Sequence, residues 1–271
     1  MKITETEFAR GFVNMADDGN KMGWHERNGG NLSYRITDAE IESVKDELSY
    51  GPWTDITASV PGLAGEYFMV TGSGRYFKNI IKDPERNIGI INIDETGEKY
   101  RICWGLKDSV PTSELPSHLL NHEVKKEVSH GKCRVIYHAH TTNIIALTFV
   151  LPLDDATFTH ELWEMATECP VVFPDGVGVI PWMVPGGRGI GLITAEKMRE
   201  YDLVIWAHHG MFAAGCDFDT TFGLMHTAEK SAEILVKVLS MTPQKRQTIT
   251  DDDLRILAKE FKVNLKEEFL G

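Results

Sequence analysis

The chain has little that would tie it to a membrane, a nucleic acid or an oxidising compartment. Its 271 residues include four cysteines, Cys103, Cys133, Cys169 and Cys216, which lie far apart and form no C-x-x-C pair. Disulfide frameworks and cysteine zinc sites need closer spacing, so free thiols in a reducing compartment are expected. Long apolar runs are also missing. The longest, residues 143–153, contains Pro152 and is too short to span a bilayer. Positive charge is scarce: 28 Lys and Arg stand against 40 Asp and Glu, a formal net charge of −12. That balance sets aside DNA, RNA and anionic membrane surfaces as principal partners. It also means that a bound phosphate must rest on local donors rather than long-range attraction. The opening MKITETEFAR has neither the basic nor the apolar stretch of a signal peptide, so a cytoplasmic protein is expected. Familiar catalytic signatures are absent as well. No glutamate makes an H-E-x-x-H of the histidines, and no motif suggests a lysine Schiff base. The glycines of residues 186–191 run G-x-G-x-G after Val184-Pro185, not G-x-G-x-x-G after a buried strand.

What remains is an alternation of helical and strand patterns with no linker or repeat, read as a single domain over residues 1–271. Phe8, Phe12 and Met15 recur at helical spacing after Thr4, a candidate cap. Residues 32–36 read as a strand, and 38–65 as an irregular segment of the kind an insertion makes. Residues 67–70 form a strand running into Thr71-Gly72-Ser73-Gly74, with a short helix from Arg75. Residues 88–93 and 99–104 read as a hairpin. Pro116 suits the first turn of a helix carrying Leu119, Leu120, Val124 and Val128. Further strands fall near 171–173, 177–180 and 203–208, and a helix near 160–166. A long amphipathic helix covers 219–240, and Thr250 with three aspartates starts another. Hairpins mixed with helices predict an α/β fold with a mixed, largely antiparallel sheet between helical layers.

Three clusters carry chemistry. In YHAHTTN, residues 137–143, His138 and His140 sit at the end of an apolar strand, where alternate side chains share a face. A metal site, a general-base pair and ordinary packing all remain open. His208-His209-Gly210 ends a second apolar strand in the same topological place. Only one of two adjacent residues can face the first pair, and a strand apolar throughout does not say which. Catalytic zinc commonly takes three protein ligands and leaves one position open. His118 and His122, four apart on a helix, read as a solvated face. The second cluster is Asn28-Gly29-Gly30-Asn31 with Thr71-Gly72-Ser73-Gly74. Such turns expose consecutive N–H groups and side-chain donors that suit a phosphate without a lysine. In the third, Glu114 stands between Pro111 and Pro116, which fix the backbone around it, with Ser113 a possible cap for the following helix.

In their order along residues 8–240, the runs ERNGGN, TGSG, VPTSELP, HAH, ECPVVFPDGVG, PWMVPG, HHG and TFGLMHTAEKSA resemble the class II aldolase/adducin superfamily. The resemblance implies a three-layer α/β/α fold, a homotetramer, and one zinc per subunit held by His138, His140 and His209, with His208 a neighbour. It implies a phosphate site at Asn28, Gly29, Asn31, Ser73 and Gly74, with Ser113 close by. Catalytic carboxylates carry over onto Glu114 and Glu168, the second reaching a neighbouring subunit's site. The implied reaction cleaves a 2-ketose 1-phosphate to dihydroxyacetone phosphate and an aldehyde, and the ECPVVFPDGVG run points to L-rhamnulose 1-phosphate. A ribulose-phosphate 4-epimerase would share the fold, the zinc and the retro-aldol step. An adducin-like interaction module would lack the three histidines, and a hydrolytic three-histidine zinc enzyme would have no use for paired anion loops.

Overall fold

The run Ile88–Ile93 is buried at every position, a pattern that fits a strand covered on both faces. The computed structural model describes residues 1–271 and places this strand within one nine-stranded sheet. The strands are β1 (Asn31–Ile36), β2 (Thr54–Asp55), β3 (Tyr67–Thr71), β4 (Ile88–Ile93), β5 (Lys99–Gly105), β6 (Val135–Ala139), β7 (Gly178–Ile180), β8 (Leu203–Trp206) and β9 (Gly210–Gly215). Their order across the sheet is β2-β5-β4-β3-β1-β6-β9-β8-β7. Every neighbouring pair is antiparallel except β7 with β8. The expected mixed, largely antiparallel sheet is present.

The helices are α1 (Glu7–Lys21), α2 (Asp38–Val44), α3 (Phe77–Ile80), α4 (Pro84–Asn87), α5 (Leu115–Val128), α6 (Thr142–Leu147), α7 (Asp155–Trp163), α8 (Cys169–Val172), α9 (Arg188–Lys197), α10 (Phe218–Met241) and α11 (Asp251–Phe261). Alternation along β1 sorts them into layers. Tyr34 stacks on Phe8 of α1 and packs against Phe218 of α10. Ser33 points the other way and hydrogen-bonds His118 and His122 of α5. Because Ser33 lies opposite Ile136 and Asn31 opposite His138, the α5 face also receives His138. One long apolar cluster fills both sides of the sheet. No helix is long and apolar enough to cross a membrane, and all four cysteines are unpaired.

Several local expectations are corrected. His118 and His122 are fully buried rather than solvated. They face the sheet, against Ser33, Phe68 and Phe212, while α9 covers another side of α5, with Gly191 against Ser117 and Leu120. Residues 171–173 are not a strand: Cys169–Val172 is a helical turn with Pro170 in its first turn, where a fixed φ suits helix. The preceding helix is Asp155–Trp163, started by Asp154 accepting from the Thr157 amide. Glu168 therefore opens a helical turn. Residues 38–65 are more regular than expected. Thr37 and Glu40 form a capping box for α2, β2 pairs at the sheet edge, and Val44, Ile56, Val60 and Leu63 enter the core. The cap of α1 is Thr6, accepting from the Ala9 amide, in place of Thr4.

Buried histidines, His25, His118 and His122 among them, make stability depend on pH. Burial pushes His25 and His118 down to about 3, and holds His122 well below its ordinary range. Each is neutral when folded, whereas the unfolded chain protonates it below pH 6.5. Stability is thus complete above 6.5 and falls by about 1.4 kcal/mol per pH unit per histidine below it. Urea unfolding of the metal-free protein should show a midpoint that drops steadily from pH 6.5 to 5. A constant midpoint over that window contradicts neutral burial.

Candidate active site

Strands β6 and β9 pair with His138 opposite Phe212 and Ala139 opposite Met211, so the turn from β8 into β9 lies over the end of β6. At that turn His208 adopts φ 62° and its Nδ1 meets the Thr148 hydroxyl at 3.0 Å. His209, the next residue, faces the pair. One side-chain ligand atom each from His138, His140 and His209 lie within 4.8 Å of one another. Gly210 makes this closure possible. A Cβ there would stand 2.4 Å from the Ala139 carbonyl oxygen and 3.1 Å from His138 Cε1.

The ring nitrogens are sorted by their partners. His138 Nδ1 donates to the Met211 carbonyl at 3.2 Å. Its Nε2 is buried with no partner and lies 3.7 Å from Glu114 Oε2. Leaving a buried polar atom bare costs about 1–3 kcal/mol, an expense that a bound cation would offset. His140 Nδ1 donates to Glu26 Oε1 at 2.6 Å, which leaves its Nε2 free. A carboxylate behind an imidazole fixes the tautomer in this way at metal sites. Burial, then the neighbouring imidazoles, holds His138 well below its ordinary range and His209 down to about 4. Both are neutral, the form that binds a metal. The donor set fits a divalent ion.

Glu114 is held at the start of α5, between β1 and the histidines. Asn31 Nδ2 donates to its Oε2 at 2.8 Å, and Asn31 Oδ1 accepts from His118 Nε2. Burial raises the Glu114 pKa, while the Asn31 hydrogen bond and the nearby His140 pull it down. A buried carboxylate beside neutral imidazoles is a group able to hold and release a proton.

The two glycine-rich turns meet at the same sheet end. Thr71 Oγ1 accepts from the Leu32 amide, and β3 continues through a bridge between Gly72 and Pro111. That bridge sets Ser73 beside the segment carrying Ser113, with the Ser73 amide donating to the Val110 carbonyl at 2.8 Å. Ser73 therefore has its hydroxyl, not its backbone N–H, to offer. Gly74 turns at φ +66° with open space around it, while Asn28 and Ser113 are exposed. Gly29 lies under His140, where a Cβ would come within 2.8 Å of the ring.

A family model described as Class II Aldolase and Adducin N-terminal domain matches residues 11–236. The chain belongs to the class II aldolase and adducin family. Rhamnulose-1-phosphate aldolase of Mannheimia succiniciproducens is 53% identical over 263 residues, covering 96% of each chain. The protein of that name from Shigella boydii is 49% identical over the same shares. Among solved structures, a sugar-phosphate aldolase from Thermotoga maritima superposes with a TM-score of 0.75 at 26% identity, over 87% of this chain and 96% of its own. An L-fuculose-1-phosphate aldolase from Thermus thermophilus shares the fold with a TM-score of 0.58 at 21% identity, over 88% and 97%. The chain is a class II aldolase, a lyase of a metal-dependent family.

Set against the expected site of such an aldolase, the structure gathers His138, His140, His209, Glu114 and Asn31. Glu168 lies elsewhere, lining a surface hollow of about 370 Å³ with Ala166, His226, Thr227 and Lys230. Two contributions escape the sequence reading. Glu26 lies inside the ERNGGN run, but its partner His140 is 114 residues away. The link from Ser33 through His118 to Asn31 was signalled by Asn31 and Ser33 at alternate positions of one strand facing a histidine-bearing helix.

Proposed function

We propose that the chain is a zinc aldolase that reversibly cleaves L-rhamnulose 1-phosphate between C3 and C4, giving dihydroxyacetone phosphate and L-lactaldehyde. Its family and its relatives at about half identity support the reaction and the sugar. The structural observation that carries the reading is His138 Nε2, bare and buried beside two further imidazoles and 3.7 Å from the Glu114 carboxylate.

In this reading His138, His140 and His209 hold one zinc per subunit, a set that leaves a position open for substrate. The metal supplies Lewis-acid stabilisation of the negative charge that develops on substrate oxygens as the C3–C4 bond opens. Glu114 delivers a proton to C3 of the three-carbon fragment in cleavage and removes it in synthesis. Asn28, Ser73, Gly74 and Ser113 take the phosphate through turn and side-chain donors beside Gly29, whose own N–H is held by the Glu26 carbonyl at 2.8 Å, and this turns an encounter into a fixed geometry. Asn31 adds its remaining amide hydrogen, since the other is committed to Glu114. Glu168 moves the proton at the aldehyde oxygen of a neighbouring subunit's site, within a cytoplasmic homotetramer that repeats one contact at every interface.

Supplied with L-rhamnulose 1-phosphate, the protein should release dihydroxyacetone phosphate, read through a coupled reductase, and stop when a chelator is added. Glu114→Gln should keep zinc and substrate affinity while kcat falls by roughly 10²–10⁴-fold. A loss confined to KM makes Glu114 a binding group. An epimerised sugar without dihydroxyacetone phosphate contradicts the aldolase reading. Glu114→Ala and Glu168→Ala chains, each nearly inactive, should regain activity when unfolded and reassembled together. Mixed tetramers that form and stay inactive remove Glu168 from its place across the interface.

A further inference from the structure

Behind Glu114 the hydrogen bonds run in one direction. A carboxylate oxygen only accepts, so the Asn31 amide must turn its nitrogen to Glu114, at 2.8 Å, and its oxygen to His118 Nε2. His118 Nε2 is therefore the donor, which leaves Nδ1 as an acceptor for the Ser33 hydroxyl at 2.6 Å. The same hydroxyl oxygen lies 2.8 Å from His122 Nε2, which supplies the N–H it can accept. The chain reads His122 to Ser33 to His118 to Asn31 to Glu114, each group with one role. His122 Nδ1, at its far end, has no partner. Every member is closed from solvent: Asn31 is 5% exposed, Ser33 1%, and both histidines 0%. An amide has nearly equal ends; the Glu114 carboxylate selects the nitrogen, and the His118 N–H holds that choice from the other side.

We propose that His118 is a positioning residue for the reaction, acting through Asn31: it locks the amide so that an N–H, never the carbonyl, faces the proton-carrying oxygen of Glu114. Ser33 and His122 set the tautomer of His118 and so complete the lock. The inference rests on Glu114 being the proton carrier, and it shares one residue with the proposed phosphate contacts, Asn31, whose first amide hydrogen goes to Glu114. Without His118 the amide is held only by the charged carboxylate, and once Glu114 carries its proton the amide can rotate, present its oxygen and draw the carboxyl group from its place. A displacement near 1 Å at a reacting group costs about 10²-fold in rate.

The test uses zinc-loaded protein with dihydroxyacetone phosphate in D2O, following by NMR the exchange of the C3 hydrogen that Glu114 removes. His118→Leu should lower kcat for exchange by about ten- to a hundredfold, with a smaller rise in KM through the Asn31 phosphate contact and zinc content unchanged. His118→Gln, which offers an amide N–H in place of Nε2–H, should recover most of the loss. If His118→Leu does not fold, Ser33→Ala is read by the same kcat and KM criteria. In metal-free wild type, long-range ¹H–¹⁵N spectra should show His118 and His122 both as neutral Nε2–H tautomers. The proposal is overturned by wild-type kcat in the folded, zinc-replete variant, by a loss confined to KM, by a His118→Gln rate as low as that of His118→Leu, or by an Nδ1–H tautomer at His118. Exchange that survives Glu114→Gln is a separate result, because it overturns the role of Glu114 itself.

Discussion

The antiparallel pairing of β6 with β9 fixes the site, because it brings the last residues of one strand under the turn that begins the other. His138 reaches the α5 face by strand alternation, and a slip of one residue would send it to the α1 face. The register that prevents the slip is held by a ladder from Val135 opposite Gly215 to Ala139 opposite Met211. Two contacts finish the placement. Gly210 lies against the Ala139 carbonyl with no room for a side chain, and the Met211 carbonyl takes the Nδ1 proton of His138. One stretch of backbone thus sets where the imidazole stands and which nitrogen it presents.

A second constraint lies between α5 and the sheet. A helix packed on both sides would ordinarily bury apolar side chains there, yet α5 turns His118, Asn121 and His122 inward. Burying such groups costs free energy unless each finds a partner. Ser33 and Asn31 meet that need for His118, while the Asn121 amide and His122 Nδ1 have none. The seam is therefore less stable than an apolar one of equal volume. In return it orients the amide against Glu114 with a direction that hydrophobic packing cannot encode.

The strongly apolar elements were legible in the sequence. The Ile88–Ile93 hairpin and the long α10 follow from periodicity and turn residues, and His138 and His140 follow from their alternation. His209 did not, since Leu203–Trp206 is buried throughout and its period is silent. The left-handed backbone of His208 decides the matter, and that conformation belongs to the folded turn. His118 and His122 escape the sequence because they face the sheet, where Ser33 meets both, and polar residues paired in the interior leave no mark in hydrophobic periodicity. Residues 171–173 were misread because a short apolar run serves strand or helix equally, and Pro170 was the overlooked signal. The glycine-rich segments could be read as turns, but not that Ser73 spends its amide on Val110. Pairings between segments distant in sequence set those details.

The central claim is that three imidazoles brought together by β6 and the β8–β9 turn form a zinc site. Zinc-edge X-ray absorption on metal-replete protein, with metal content measured on the same sample, tests it most directly. The account predicts one zinc per chain, with three nitrogen neighbours at about 2.0–2.1 Å and its other nearest neighbours oxygen at about 2.0–2.2 Å, all lost in His140→Ala. Sulfur neighbours, or zinc retained at full occupancy in His140→Ala, would contradict it.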